Sequence, residues 1–504
     1  MKRFLIISFG IIFLVSALVA AYFLYGNNIY RYFNPTKDIL SIGFDSLPAS
    51  LSPFSLDPSQ RALKWNVYQA LFDMDPYLRP EKNLVLSYIK SDEKTWKFTL
   101  KKGVRFQDNS EMKSSDVKYS LDYALKEGSF ELKLYISTID SIKVIDDSSF
   151  EIVTKELDPQ LPLKLAQVPI VRPHGDELWG TGPYYLKSKT DEAMIFERSD
   201  SYNGSLPDIK TVELLAIADK TLRVENLQKK RIELLASVPT GREHLSSFLN
   251  NPDYLLKDAS SLSSLFLVLS PSGKFAGQKN DLVDEKIRSI VYRALDRKQI
   301  SGFAEGGYAK ELTSLLPEGM TGYSETFPDA VVTANDVKAA VGERFITFTL
   351  AVPESFKVIG EYIKTTLEPF QIFVDLKVLP EGTFTQSLER GDNQAYILGW
   401  QYVLPTPEVF FRSIFSENIG QKGSLNGISY KDDVIKNKLM NIEKEGDETK
   451  RAGLLQDLQT YLTKKAIVFP LIDLRIPYLM YKRINFTPRI DGEILFNTIS
   501  FNSL

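Results

Sequence analysis

Large apolar and polar side chains alternate through Thr95-Trp96-Lys97-Phe98-Thr99-Leu100, the two-residue period of a half-buried strand, before Lys101-Lys102-Gly103 turns the chain away. Val104-Arg105-Phe106 is expected to resume as a strand. The period then lengthens: Val117, Leu121, Ala124 and Leu125 fall on one stripe of a helix that Ser114 or Ser115 can cap. By the same reading 39–44 is a buried strand, 62–72 a helix, and 141–154 two strands around the Asp146-Asp147 turn. Gly180-Thr181-Gly182-Pro183 breaks the chain before a strand at 184–186, and a strand at 209–216 precedes a helix at 222–227. Asp284-Glu285 opens a helix whose inner face is Ile287, Ile290, Val291, Ala294 and Leu295. Strands at 345–352, 372–379 and 395–399 alternate with helices at 355–370 and 382–390. Such a rhythm implies an α/β fold with a mostly parallel sheet. Helices at 434–442 and 449–462 and a strand at 467–472 complete the pattern.

The first residues follow a different rule. Met1-Lys2-Arg3 precedes an uncharged, mostly apolar stretch over 4–25, long enough as a helix to cross a bilayer. The two cations favour a cytoplasmic N-terminus, so the rest of the chain belongs outside the cytoplasm. Residues 1–27 are read as an uncleaved transmembrane signal-anchor and 28–37 as a tether; the small residues Ser16 to Ala21 keep a cleaved signal peptide open as the alternative.

Composition removes several classes of function. In 504 residues, 61 Lys and Arg face 64 Asp and Glu, which leaves no basic excess for nucleic acid. The 43% of hydrophobic residues is enough to bury two or three cores. Cysteine is absent, which excludes disulfides, thiolate metal sites and cysteine nucleophiles, and the two histidines, His174 and His244, stand far apart. Neither a cofactor nor a metal is expected. Gly180-Thr181-Gly182 is followed by Pro183 and two tyrosines, so it is no dinucleotide fingerprint, and the P-loop, G-x-S-x-G and H-E-x-x-H signatures are all missing. A glycosidase needs only two carboxylates with no short motif, and stays open to an activity assay. Aromatic content is 12%. Most of it belongs to cores, but Trp400 and Tyr402 stand where a strand ending at Gly399 runs into Pro405-Thr406-Pro407. Ligands of open α/β sheets bind beyond the carboxyl ends of strands, where a ring can stack on a solute beside backbone donors and acceptors.

Taken together and in order, six segments resemble the family 5 extracellular solute-binding proteins of ABC transporters, the peptide and nickel group. They are Leu56-Asp57-Pro58, 67–72, 96–108, 115–121, Gly180-Thr181-Gly182-Pro183-Tyr184 and 287–297. The resemblance covers nearly all of the chain after residue 38. It implies a type II periplasmic-binding-protein-like fold of two lobes with an extra subdomain, preceded by the transmembrane helix. Lobe one would comprise 38–75, 181–272 and 473–504, the extra subdomain 76–180, and lobe two 273–472. The implied function is that of a monomeric, membrane-anchored receptor outside the cytoplasm. It would close over a peptide or peptide-like solute and deliver it to an ABC permease; it would not be an enzyme. A sensor or envelope chaperone of the same fold, without a permease, is the alternative.

The resemblance also suggests a site. Gly399, Trp400, Gln401, Tyr402 and Val403 would form one wall, with Ser263, Ser264 and Phe266 of lobe one opposite. Peptide binders of the family carry an aspartate where this chain has Val403, and that aspartate pairs with the peptide amine. Glu408 or Asp392 is the expected substitute. Ser114 would cap its helix in place of a family threonine at Lys113, and Asn109 would take a left-handed turn position.

Overall fold

β1 (Ile39–Phe44) and α1 (Pro58–Lys64) lead into a four-stranded antiparallel sheet, order β2-β3-β5-β4, made of β2 (Val85–Lys90), β3 (Thr95–Leu100), β4 (Ile139–Asp146) and β5 (Ser149–Thr154). Between β3 and β4 come α2 (Ser114–Glu127) and α3 (Phe130–Tyr135). The computed structural model describes residues 38–239, 242–272, 274–275, 278–303, 308–327, 332–402, 404–416 and 425–502. The expected transmembrane helix and tether lie outside them. Among the described residues no helix is long and apolar enough to cross a membrane.

The chain continues through β6 (Tyr184–Lys189), β7 (Ala193–Arg198), β8 (Thr211–Ala216), α4 (Lys220–Gln228), β9 (Leu234–Leu235) and β10 (Tyr254–Leu269). α5 (Glu285–Arg293), β11 (Ala309–Glu311), β12 (Ile346–Pro353), α6 (Lys357–Leu367), β13 (Ile372–Leu379), α7 (Glu381–Arg390) and β14 (Ala395–Gln401) follow. The last elements used here are α8 (Pro407–Phe415), α9 (Asp433–Lys444), α10 (Glu448–Lys465) and β15 (Val468–Tyr481).

One sheet of 11 strands unites these pieces in the order β6-β7-β8-β1-β9-β15-β10-β14-β12-β13, with β11 against β15. Within it β1 runs parallel to β8 and β9, and β12 runs parallel to β13 and β14, as the strand and helix alternation over 345–400 implied. These two parallel blocks are joined by the long antiparallel pair β10 and β15.

Three local expectations fail for identifiable reasons. The helix expected at 62–72 ends at Lys64, because the Asn66 side chain takes over the backbone groups: its Nδ2 donates to the Leu63 and Ile494 carbonyls, and its Oδ1 accepts from Phe496 N–H. Gln69 and Ala70 then pair with Ile170 and Pro169 as short strands. Val104-Arg105-Phe106 is not a strand, since positive φ at Gly103 and Asn109 folds it into a loop with a single bridge from Arg105 to Glu111. Asn109 does adopt the left-handed conformation (φ 68°). Ser114 is already the first helical residue and donates to the Asp146 carbonyl. The orphan N–H of Lys113 is taken by the Asp116 carboxylate at 2.7 Å.

The C-terminal segment is bound into the β1 side of the molecule by buried charges. Arg61 donates to the Asp491 carbonyl at 3.1 Å, and Arg489, 2.6 Å from Asp491, donates to the Met74 carbonyl at 3.0 Å. Burial pushes the Glu493 carboxyl up to about 8, with Asp491 adding to the shift and Arg489 opposing it. A carboxyl raised in the folded state stabilises fully below its unfolded value, and that stability is lost as pH rises through about 8. Glu493→Gln is therefore expected to melt like the parent near pH 4, to gain on it progressively as pH rises to about 8, and to gain no more above that. A difference in Tm that does not change with pH would contradict this reading.

Candidate functional site

Directionality of the strands defines the site. Leu235 of β9 is level with Leu256 of β10, since both pair with Leu479, and β9 runs in the same direction as β10. Gly43 pairs with Leu235, so β1 ends one step further on, at Phe44. On the far side Gln401 pairs with Ser263, and β14 runs against β10. The carboxyl ends of the two parallel blocks therefore point at each other across the middle of β10. About six residues separate them, roughly 20 Å of extended chain. Facing carboxyl ends, with loops converging from both sides, make the place where an α/β sheet binds ligands.

The floor of this gap is the crossing itself. Ser260 pairs with Arg475 but Ser263 pairs with Leu474, so Ser261 and Leu262 form a bulge, with Leu262 at φ 55°. Hydroxyls replace the missing ladder bonds. Ser260 and Ser261 accept from the N–H groups of Leu262 and Ser263 at 3.2 Å, and Ser261 donates to the Leu474 carbonyl at 2.8 Å. Beneath lies a charged group: Asp473 accepts from Ser260 at 3.0 Å and lies 3.5 Å from Arg475, whose Nε donates to Asp258 at 2.8 Å. Burial pushes the Asp473 carboxyl up to about 6, and the Ser260 hydrogen bond and Arg475 pull the other way.

The β14 rim carries the expected aromatic wall. Trp400 is half-buried, its ring 5.6 Å from Phe410 and its Nε1 buried without a partner. Tyr402 is only 2% exposed and donates its hydroxyl to the Leu315 carbonyl at 2.8 Å, so it supports the wall from within. Gln401 and Gly399 point to the opposite face. A Cβ on Gly399 would come within 3.1 Å of the Phe356 ring, and glycine lets that ring approach the strand. Val403 lies outside the described residues. Across the gap, Asp45 just beyond β1 accepts from Ser237 at 3.0 Å.

Two assignments change. Ser263, Ser264 and Phe266 do not oppose Trp400: on β10 they pair directly with Gln401, Trp400 and Leu398 of β14. Phe266 is fully buried against Phe410, ring to ring at 4.6 Å. Neither proposed substitute for the family aspartate is free. Glu408 is buried and bonded to Arg451 at 2.7 Å, and Asp392 is exposed and paired with Arg390 at 2.9 Å. Sequence reasoning also missed Asp473 and Arg475, although two charges within the otherwise apolar run of β15 are a visible signal.

A second bridge spans the gap away from the sheet. Gln160 donates to the Glu445 carbonyl at 3.3 Å, and the buried Tyr135 hydroxyl of α3 sits beside Thr406, Glu408 and Arg451. The four-stranded unit thus touches α8 and the turn between α9 and α10.

The comparisons agree with this architecture. A family model described as bacterial extracellular solute-binding proteins, family 5 Middle, matches residues 79–422. The chain belongs to this family of solute-binding proteins. A relative of this solute-binding protein, the probable D,D-dipeptide-binding periplasmic protein DdpA of Escherichia coli (strain K12), is 22% identical over 92% of this chain and 94% of its own. HbpA2 from Haemophilus parasuis has the same fold, with TM-score 0.82 at 18% identity over 92% of this chain and 100% of that one. The periplasmic murein tripeptide binding protein MppA, in its unliganded open form, gives 0.80 at 15% identity over 92% and 98%. The two blocks of the sheet are thus the two lobes of a periplasmic-binding-protein fold, and the family's members are extracellular solute binders rather than enzymes.

Proposed function

We propose that the chain is the extracytoplasmic receptor of an ABC importer, held to the membrane by residues 1–27, which closes its lobes over a peptide or peptide-like solute and passes it to a permease. The observation that carries this reading is the pair of facing strand ends across a two-strand crossing that is bulged at Ser261 and Leu262. A solute that touches both rims favours the closed state by its better contacts there. Relatives named for dipeptides and a murein tripeptide support the peptide class. Trp400, half-buried on the rim, offers its ring face to such a solute.

Native mass spectrometry of the full-length protein, purified without added solute, is expected to reveal retained peptides. Trp400→Ala is expected to weaken binding of a mixed di- and tripeptide pool by about tenfold or more, as measured by titration calorimetry. An unaltered affinity in this variant would remove Trp400 from the site.

A further inference from the structure

The four-stranded unit is fastened to one lobe and rests against the other. The chain enters it from α1 and leaves it for β6, both in the β1 block, and Ser201, just past β7, donates to the Phe106 carbonyl at 3.0 Å. The unit therefore travels with that lobe. Its far edge meets lobe two at three points. Gln160 reaches the Glu445 carbonyl, a Cβ on Gly446 would stand 3.2 Å from the Pro159 β-carbon, and Tyr135, 8% exposed, is enclosed beside Thr406, Glu408 and Arg451. Charge favours the same contact: burial disfavours the Arg412 cation of α8, and Glu156 of the unit joins Glu408 in offsetting that cost. Between the lobes the chain itself crosses along β10 and β15. Rotation about that crossing displaces contacts that lie off it, and the Gln160 bond, at 3.3 Å, has little slack before it lapses. The contact therefore holds over only part of the opening range.

We propose that the four-stranded unit latches the closed receptor: its edge at Tyr135, Pro159 and Gln160 seats on α8 and on the turn between α9 and α10 as the lobes close, and parts from them as they open. The proposal rests on the solute-receptor reading above and adds a means of regulation to it. Residues that never touch the solute then help to set its affinity, because whatever the latch contributes to the closed state lessens what the solute must supply. Parting the latch would admit water to Tyr135 and to the Glu408 and Arg451 pair, all of which are buried in this structure.

Because the chain has no cysteine, a single cross-link can be placed across the latch. Pro159→Cys with Gly446→Cys brings two β-carbons to within a few tenths of an ångström of disulfide spacing. Oxidised in the presence of a mixed di- and tripeptide pool, this full-length variant is expected to release bound peptide about tenfold or more slowly than after reduction with dithiothreitol. Gly446→Trp, which wedges the exposed turn away from Pro159, is expected to weaken binding of the same pool about tenfold in titration calorimetry. Failure of the cross-link to form, release that ignores reduction, or a Gly446→Trp affinity within about twofold of the parent each overturns the latch and leaves the receptor reading intact. A parent protein that binds none of the pool overturns the peptide-receptor reading itself, and the latch with it.

Discussion

Arg451→Met is expected to lower the free energy of unfolding by about 3–5 kcal/mol, measured by urea denaturation. Arg451 is 1% exposed, lies 2.7 Å from Glu408 and 3.6 Å from Glu448, and spans the packing of α10 against α8. Removing the guanidinium strips Glu408, 6% exposed, of its bonded partner and leaves only Arg412, one turn along α8, to offset its charge. The loss comes from desolvation of that remaining carboxylate more than from a missing contact, so the double variant Arg451→Met with Glu408→Leu is expected to recover most of it. A single variant within about 1 kcal/mol of the parent would mean that Glu408 does not depend on Arg451 to stay buried. Because Tyr135 of the four-stranded unit packs on this same pair, the unit is also expected to lose protease resistance in the single variant.

Gly182→Ala is expected to cost about 3 kcal/mol, or to yield no soluble protein. A Cβ at this position would fall 2.5 Å from the Val67 carbonyl carbon and 2.6 Å from the Asn66 carbonyl oxygen, both backbone atoms. Neither can move away freely. Gly182 N–H donates to the Val67 carbonyl and Tyr184 N–H to the Asn66 carbonyl, each at 2.9 Å, while the Asn66 side chain binds Ile494 and Phe496. The control is Gly453→Ala in α10, where nothing lies within 4 Å of the added methyl. It is expected to stabilise by about 0.5–1 kcal/mol, through helix propensity alone. Equal effects at the two glycines, read from thermal melts, would show that close backbone approach does not constrain Gly182.

Much of the fold was legible because its signals are local. The alternation of Trp96, Phe98 and Leu100 matched strand β3, and Asp284 caps α5 by accepting from Lys286 N–H. The rhythm over 345–400 gave the correct parallel block. The failures share a cause, which is that pairing between distant segments leaves little trace in either one. Nothing in the run around Ser263 and Ser264 says that its neighbour is β14, so these residues were assigned to the wrong side of the gap. The strand expected at 467–472 is shorter than β15, whose next residues include the charges of Asp473 and Arg475. In the fold, Ser260 and Arg475 compensate Asp473 and β15 continues to Tyr481. Similarly, 62–72 has helical composition, yet the Asn66 amide and two approaching glycines decide its path. Of the site, Trp400 was identified from its position at a strand end, while its partners across the sheet required the register.

The serine-lined bulge restricts how this receptor can move. Strands β10 and β15 are bonded to each other on both sides of it, so sliding one past the other would break the ladder along its whole length and exchange the faces of every side chain. Shear is thereby suppressed, and rotation about a single transverse axis near Leu262 remains. Spin labels on the two jaws should accordingly trace an arc, with solutes of different bulk selecting different angles along one trajectory.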